Sequence, residues 1–99
     1  MPRITKQEKM QYLADVPEEY IFRCCDACVF RNMRELRDGL ANMSEEAYAY
    51  HANAQKNDFS QWVKDIIKDE RLAAELRNAQ SKSDEASRVA SRVSTLMRR

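Results

Sequence analysis

Five large apolar residues between positions 59 and 67 follow the spacing of a single helical stripe. They occur at i, i+3, i+4, i+7 and i+8, and are Phe59, Trp62, Val63, Ile66 and Ile67. This spacing places all of them on one face of an amphipathic helix. Asp58 is the expected N-cap, with Gln61 completing its capping box. We therefore expect this segment to form an apolar ridge that anchors the other helices.

The first helix is predicted from a capping box near the N-terminus. The Thr5 hydroxyl can accept a hydrogen bond from the Glu8 N–H while the Glu8 carboxylate reaches back. The helix is expected to turn Met10, Tyr12 and Leu13 inward. Pro17 should end it, because the residue before a proline is pushed out of the helical region.

Three more helices are predicted from cap residues followed by apolar stripes. Their expected starts are Asn32, Ser44 and Asp69, each with an acidic residue shortly after it. The residues expected to face the core are Leu36, Leu40, Met43, Leu72, Ala73 and Leu76. Gly39 lies on the first of these stripes and indicates close packing of a neighbouring element.

A β-hairpin is predicted between the first and second helices. Residues Tyr20–Cys25 and Cys28–Arg31 are rich in aromatic and β-branched side chains, with Asp26 and Ala27 between them. The chain otherwise has one Gly and two Pro, which favours helices joined by short polar turns. The predicted fold class is mainly α, a small helical domain with a short N-terminal β-hairpin.

The length of 99 residues predicts a single domain. Its parts are expected to be an N-terminal helix over 1–17, the hairpin over 20–31, a helical core over 32–80 and a C-terminal helix over 84–99. In the last helix Ala86, Val89, Val93 and Leu96 form a narrow apolar seam of the coiled-coil kind. Such a seam either covers the domain's own core or pairs with its copy in a second chain, giving a homodimer.

The charge balance bears on the kind of partner. Seventeen basic and sixteen acidic residues give a net charge of +1, so no global field attracts nucleic acid. Arg88 and Arg92, followed by Arg98 and Arg99, offer a local phosphate-contacting stripe as the only alternative. Because arginines on the wet face of an apolar seam are common, we do not expect nucleic acid as a partner.

No membrane segment is expected, because no apolar run approaches the ~20 residues needed to span a bilayer. The segment Met1–Lys6 has no signal-peptide stretch, and the cysteines are not arranged as a secreted disulfide framework. We therefore expect a cytoplasmic protein.

The polar residues just before the Trp62 helix form the candidate binding site. His51, Asn53, Lys56 and Asn57 would lie at a helix end, where free N–H groups and a lysine can bind an anion. The structural alternative is that Asn57 and Asp58 make the bend and cap, Phe59 and Trp62 fill the core, and His51 packs with a satisfied hydrogen bond. The candidate binding residues are His51, Asn53, Lys56, Asn57, Asp58 and Trp62.

The same stretch resembles a family of short, uncharacterised prokaryotic domains of unknown function. The family's signature is an aromatic-x-x-His-x-Asn-x-x-Lys-Asn-Asp-Phe-x-x-Trp motif preceded by a hairpin-like start and a Glu-Leu helix. The matching residues are Tyr48, His51, Asn53, Lys56, Asn57, Asp58, Phe59 and Trp62, with Glu35 and Leu36 upstream. The resemblance covers residues 20 to 76 and implies no activity. This chain has Asp-Ala at the hairpin tip, where the family favours Asp-Gly.

The cysteines suggest a metal or redox alternative. Cys25 and Cys28 form a C-x-x-C motif, and with Cys24 and His51 they supply four ligands suited to tetrahedral zinc. A C-x-x-C can also act as a redox pair. Against both, the chain has no second C-x-x-C motif, and cysteine is a common small core residue.

The sequence lacks the usual signs of an enzyme. It has one histidine, no glycine-rich phosphate loop and no nucleophile elbow. The function expected from the sequence is therefore a non-catalytic protein-interaction or regulatory module that self-associates and has no cofactor. Its contact surface is expected to be the region around His51, Asn53 and Lys56 or the terminal helix. The alternative is a small zinc or thiol-redox protein built on Cys24, Cys25, Cys28 and His51.

Overall fold

The computed structural model describes residues 5–24 and 29–97, and it is mainly α-helical with a two-stranded antiparallel hairpin near the N-terminus. The helices are α1 (Lys6–Leu13), α2 (Met33–Asn42), α3 (Glu45–His51), α4 (Asp58–Trp62), α5 (Glu70–Arg77) and α6 (Lys82–Met97). The strands are β1 (Phe22–Arg23) and β2 (Val29–Phe30). A 3-10 turn covers Glu18–Tyr20 and a π-helical turn covers Val63–Ile67. The predicted fold class is confirmed.

Side-chain caps begin four of these helices where the sequence predicts them. At α1 both bonds of the capping box form, and the Thr5 hydroxyl accepts from the Glu8 N–H at 3.0 Å. Asn32, Ser44 and Asp69 accept from the third residue beyond them at 2.9, 3.0 and 3.2 Å. Each cap satisfies an N–H group that has no partner within its own helix.

The α1 helix differs from the prediction in its end and in its buried face. It stops at Leu13, four residues before Pro17, and Met10 is 65% exposed. Tyr12 and Leu13 pack against the core, whereas Met10 lies outside that contact. The chain is already extended at Val16, whose N–H donates to the Arg31 carbonyl at 2.8 Å. The inward placement of Met10 is therefore wrong.

The hairpin forms with shorter strands than the sequence predicts. Phe22 pairs with Phe30 and Arg23 with Val29, and the two phenylalanine rings stack with centroids 5.5 Å apart. Tyr20 is not in the strand, because its N–H closes the 3-10 turn on the Pro17 carbonyl. The predicted turn at residues 25–28 lies outside the described residues.

Gly39 allows α2 to approach β2 closely, as the sequence indicates. A Cβ atom at this position would overlap the Cε1 and Cζ atoms of the buried Phe30 ring. Only glycine leaves room for that ring against the helix backbone. The hairpin is thereby held against α2 at Gly39.

The ridge from Phe59 to Ile67 lies in the core, with Ile66 partly buried at its edge. Its second half is a π-helical turn, in which the Lys68 N–H donates to the Val63 carbonyl five residues earlier at 2.7 Å. Lys68 then adopts a left-handed conformation with φ 74° and ends the helix. The predicted ridge is confirmed, although its helix is not regular throughout.

The apolar seam of α6 covers the domain's own core. Val89 and Val93 are fully buried and Leu96 nearly so, and α6 packs along α2. The Lys82 ammonium also donates to the Leu40 carbonyl at 3.3 Å, which fixes the start of α6 against the end of α2. Pairing with a second chain through Val89, Val93 and Leu96 is therefore wrong, because these side chains are not at the surface.

The arginines of α6 bind groups within the domain. Arg92 makes two hydrogen bonds to the carboxylate of Asp69, at 2.7 and 3.0 Å. Arg88 donates to Asp84 at 3.0 Å and to the Glu75 carbonyl at 3.1 Å. Arg98 and Arg99 lie outside the described residues. No helix within residues 5–24 and 29–97 has the length and apolar character needed to cross a membrane.

Candidate functional site

A short closed loop connects α3 to α4 and carries three of the six candidate binding residues. Ala52 and Asn57 form an isolated antiparallel bridge, and the Asn53 N–H donates to the Lys56 carbonyl at 2.8 Å. The Asn53 side chain accepts from the Gln55 N–H at 3.0 Å and donates to the Ala49 carbonyl at 3.1 Å. These bonds fix the loop backbone and leave the side chains of Gln55 and Lys56 exposed.

Asn57, not Asp58, is the N-cap of α4. Its side-chain oxygen accepts from the Ser60 N–H at 3.0 Å, so the predicted cap at Asp58 is wrong. The other side of the same amide donates to the Leu76 carbonyl at 3.2 Å and to Glu85 Oε1 at 2.9 Å. One side chain therefore ties the start of α4 to the end of α5 and the first turn of α6.

The Asp58 carboxylate instead bonds the side chains of His51 and Lys56. Its Oδ2 atom lies 3.0 Å from His51 Nδ1 and 3.1 Å from Lys56 Nζ. Burial favours the neutral form of this carboxyl, but the hydrogen bonds from His51 and Lys56 outweigh it and hold the pKa of Asp58 below its ordinary value. The carboxylate stays ionised and orients the histidine ring.

His51 and Trp62 belong to an aromatic cluster rather than to an open surface. His51 is 6% exposed, and its ring meets those of Phe22 and Phe59 edge-on at centroid distances of 5.2 and 5.5 Å. Trp62 is also buried, and its indole N–H donates to the Tyr20 carbonyl at 2.8 Å. The structural alternative from the sequence describes these two side chains correctly.

The exposed side of the closed loop forms one wall of a cleft of about 400 Å³. The opposite wall is the end of α5 and the linker before α6. We call this space the loop cleft, lined by Tyr48, Ala52, Asn53, Ala54, Gln55, Lys56, Asn57, Arg77, Ala79 and Gln80. Of the six predicted binding residues, Asn53, Lys56 and Asn57 line it. His51, Asp58 and Trp62 do not.

Arg77 and Gln80 belong to the cleft but are not among the residues that sequence reasoning selected. They lie 15 and 18 residues beyond Trp62, where the signature stretch ends, at the end of α5 and in the polar linker. The fold brings them to the loop because Asn57 bonds the Leu76 carbonyl. A polar linker directly after an amphipathic helix is the only sequence signal that points to them.

Glu85 is a fully buried carboxyl group behind the cleft. Its Oε1 atom accepts from the Tyr48 hydroxyl at 3.1 Å and from Asn57, while Oε2 has no hydrogen-bond partner among the described residues. Burial raises the pKa of Glu85, because the desolvated site disfavours the carboxylate. Burial and the neighbouring Glu85 also raise the pKa of Tyr48, so its hydroxyl remains a donor. In the sequence, the burial of Glu85 is indicated by its position four residues before Val89, on the apolar seam of α6.

The raised pKa of Glu85 predicts a pH dependence of stability. A buried acid whose pKa is raised by folding stabilises the protein fully below its unfolded pKa, and that contribution is lost as the pH rises through the folded pKa. The free energy of unfolding of Glu85→Gln, relative to wild type, should therefore increase between pH 4 and pH 8. Urea titrations at a series of pH values measure the difference.

Glu19→Gln is the matched control, because Glu19 is an exposed acid in the 3-10 turn. Its difference from wild type should change little over the same pH range. A Glu85→Gln difference that is constant or falls as the pH rises would contradict the assignment of a desolvated carboxyl.

The proposed zinc ligands are only partly within the described residues. Cys24 is buried with a free thiol, whereas Cys25 and Cys28 lie outside the described ranges. No group of three or more His, Cys, Asp or Glu side chains suited to a metal ion occurs in the part of the chain that the structure describes. The zinc site stays a prediction.

Comparisons of the chain with protein-family models, with curated proteins and with solved structures found no match. The resemblance to the prokaryotic domain family, which the residues from Tyr48 to Trp62 carry, therefore stays a prediction.

Proposed function

We propose that this protein is a non-catalytic protein-interaction or regulatory module, and that it contacts its partner through the loop cleft. The observation that carries the proposal is that some polar residues of this region hold the fold together while others remain exposed at the cleft. The side-chain amides of Asn53 and Asn57 bond backbone groups and Glu85, and these bonds fix the walls of the loop cleft. Gln55, Lys56, Arg77 and Gln80 are exposed around the opening.

The position of the single histidine supports a non-catalytic role. A general acid or base must come within hydrogen-bond reach of a bound substrate. His51 is buried among aromatic rings, with Nδ1 against Asp58, and it does not line the cleft. The exposed groups of the cleft are amides and cations, which serve recognition better than proton transfer at neutral pH.

Site-specific photo-crosslinking in cells tests the proposal. A photoreactive side chain is placed at Gln55 or Gln80 in the cleft, and at the exposed Lys64 or Ala74 outside it. We expect one discrete protein adduct from the two cleft positions only. Mass spectrometry identifies the partner, and an adduct of twice the chain mass would indicate self-association.

A steric variant provides the matched control. Ala54→Trp fills the cleft without changing its charge, and should abolish the adduct formed at Gln80. Ala74→Trp places the same side chain on the exposed face of α5, and should leave the adduct unchanged. Adducts that form equally at all four positions, or that survive Ala54→Trp, would contradict the cleft as the contact surface.

A different measurement distinguishes the zinc or thiol-redox alternative from the interaction module. Metal analysis of protein purified without chelator reports zinc bound per chain, and thiol titration reports fast-reacting cysteines. Stoichiometric zinc that is lost in Cys28→Ser would replace the interaction proposal with the metal-binding one. The interaction proposal expects no zinc and three slowly reacting thiols.

A further inference from the structure

We infer that the partner presents an acidic peptide segment to the loop cleft, with carboxylates bound by Arg77 and Lys56. This inference rests on the proposed function and names the chemistry of its partner. It is carried by the charges that line the cleft, by the bonding of the two cations and by the groups behind the wall.

The cleft carries charge of one sign. Its ten lining residues include Lys56 and Arg77 and no acidic residue, although the chain has sixteen acidic residues among 99. A second groove, between β2 and α2, has the opposite character, because Glu35 and Asp38 line it and no basic residue does. Two carboxylates lie beside the lining without belonging to it, because Asp58 is 3.1 Å from Lys56 Nζ and Asp84 accepts from the Gln80 N–H at 2.9 Å. Arg77 is therefore the cation of the cleft without a carboxylate partner among the described residues.

Arg77 is the cation best placed to bind a new carboxylate. Within residues 5–24 and 29–97 its side chain makes no hydrogen bond or ion pair, whereas Arg88 and Arg92 are both bonded within the domain. A guanidinium offers a planar set of donors that matches a carboxylate in a two-bond arrangement. Arg77 can form this arrangement without breaking a contact of the fold.

Lys56 retains donors for a second carboxylate. Its ammonium group has three donors, and the structure places one oxygen, Asp58 Oδ2, at 3.1 Å and the Tyr50 ring at 5.2 Å from the ring centroid. The same Asp58 oxygen also lies 3.0 Å from His51 Nδ1, so Lys56 shares its one carboxylate partner with the histidine ring. The exposed Tyr50 ring adds an apolar contact beside the charge.

The groups behind the cleft wall also favour an anion. Glu85 lies behind Tyr48 and Asn57, and it accepts a hydrogen bond from each of these two cleft-lining residues. Burial raises the pKa of this carboxyl, because desolvation disfavours its charged form. Gln55 and Gln80 supply neutral amide donors at the rim.

The test uses the full chain and fluorescein-labelled octamers of glutamate, glutamine and lysine. We expect fluorescence anisotropy to show binding of the glutamate octamer, weakening as salt is raised, and NMR amide shifts confined to residues 52–57 and 77–80. The glutamine and lysine octamers should not bind. Equal binding of the glutamine octamer, or shifts spread over the whole surface, would overturn the inference.

Two matched variants decide whether the cleft cation is responsible. Arg77→Gln should weaken binding of the glutamate octamer about three- to tenfold, the range for an exposed charge-assisted contact. Lys64→Gln removes the same charge outside the cleft and should leave binding unchanged. Arg77→Glu should abolish binding of the glutamate octamer. Because Arg77 is exposed, circular dichroism of all three variants should match wild type.

The outcomes separate this inference from the proposed function. A cleft-specific crosslinked partner that persists in Arg77→Glu, together with no binding of the glutamate octamer, would refute the acidic segment while leaving the interaction module intact. The absence of both a cleft-specific partner and any octamer binding would refute both. Binding of the glutamate octamer that Arg77→Glu removes supports the inference.

Discussion

Val93→Asp is expected to unfold the domain rather than to dissociate a dimer. Val93 is fully buried on the α6 face that packs along α2. Aspartate there loses the apolar contacts and places an unmatched carboxylate in the core. Together these effects should cost about 4 kcal/mol or more, a large part of the ~5–15 kcal/mol that stabilises a typical domain. Urea denaturation followed by circular dichroism measures the loss.

Ser94→Asp is the matched control for Val93→Asp. It introduces the same carboxylate at the next position of α6, where the side chain is exposed. Its free energy of unfolding should stay within about 0.5 kcal/mol of wild type. If Val93→Asp remained fully folded while light scattering showed a wild-type dimer becoming a monomer, the packing of α6 on α2 would be wrong and the seam would be an interface.

Arg92→Ala is expected to cost about 3–5 kcal/mol, because it leaves a buried carboxylate without its counter-ion. Asp69 is 1% exposed and accepts both hydrogen bonds from Arg92. The same carboxylate caps α5 through the Leu72 N–H, so it cannot turn away to solvent without uncapping that helix. Thermal and urea unfolding of the variant measure the cost.

A surface ion pair and a double variant provide the controls for Arg92→Ala. Arg37→Ala removes a guanidinium that lies 3.0 Å from the exposed Asp38, and should cost less than about 1 kcal/mol. Asp69→Asn with Arg92→Ala should be more stable than Arg92→Ala alone, since the buried charge is then absent and the amide oxygen still caps α5. Equal costs for Arg92→Ala and Arg37→Ala would show that Asp69 is not buried as described.

The helix starts could be predicted from the sequence because their causes are local. Thr5, Asn32, Ser44 and Asp69 each bond a backbone N–H three residues away, a distance within one helical turn. The ridge from Phe59 to Ile67 is likewise a pattern within one segment. In each case the side chain and the group it contacts are close in the chain, so spacing alone identifies them.

The cap of α4 shows where local reasoning fails. Asn57 and Asp58 are adjacent, and both residue types cap helices well. The choice depends on partners 19 and 28 residues away, because the Asn57 amide reaches the Leu76 carbonyl and Glu85. Asp58 is left to pair with His51, seven residues earlier. Rules based on residue spacing within a helix do not predict contacts at these sequence separations.

The α6 seam and the loop cleft were ambiguous for a similar reason. A narrow row of Val89, Val93 and Leu96 has the same spacing whether it packs on its own chain or on another. Only the position of α2 decides between them. The sequence also selected Asn53 and Lys56 for the site but not Arg77, because the wall that carries Arg77 is brought there by tertiary contacts.

The π-helical turn at Val63–Ile67 has a consequence for aligning this chain with any relative. Each residue of a regular helix rotates the chain by about 100°, so one extra residue in a turn shifts the phase of everything that follows. A relative with an uninterrupted α-helix here would lack one residue between Trp62 and Lys68. Its counterpart of Asp69 would then be matched correctly only across a one-residue gap.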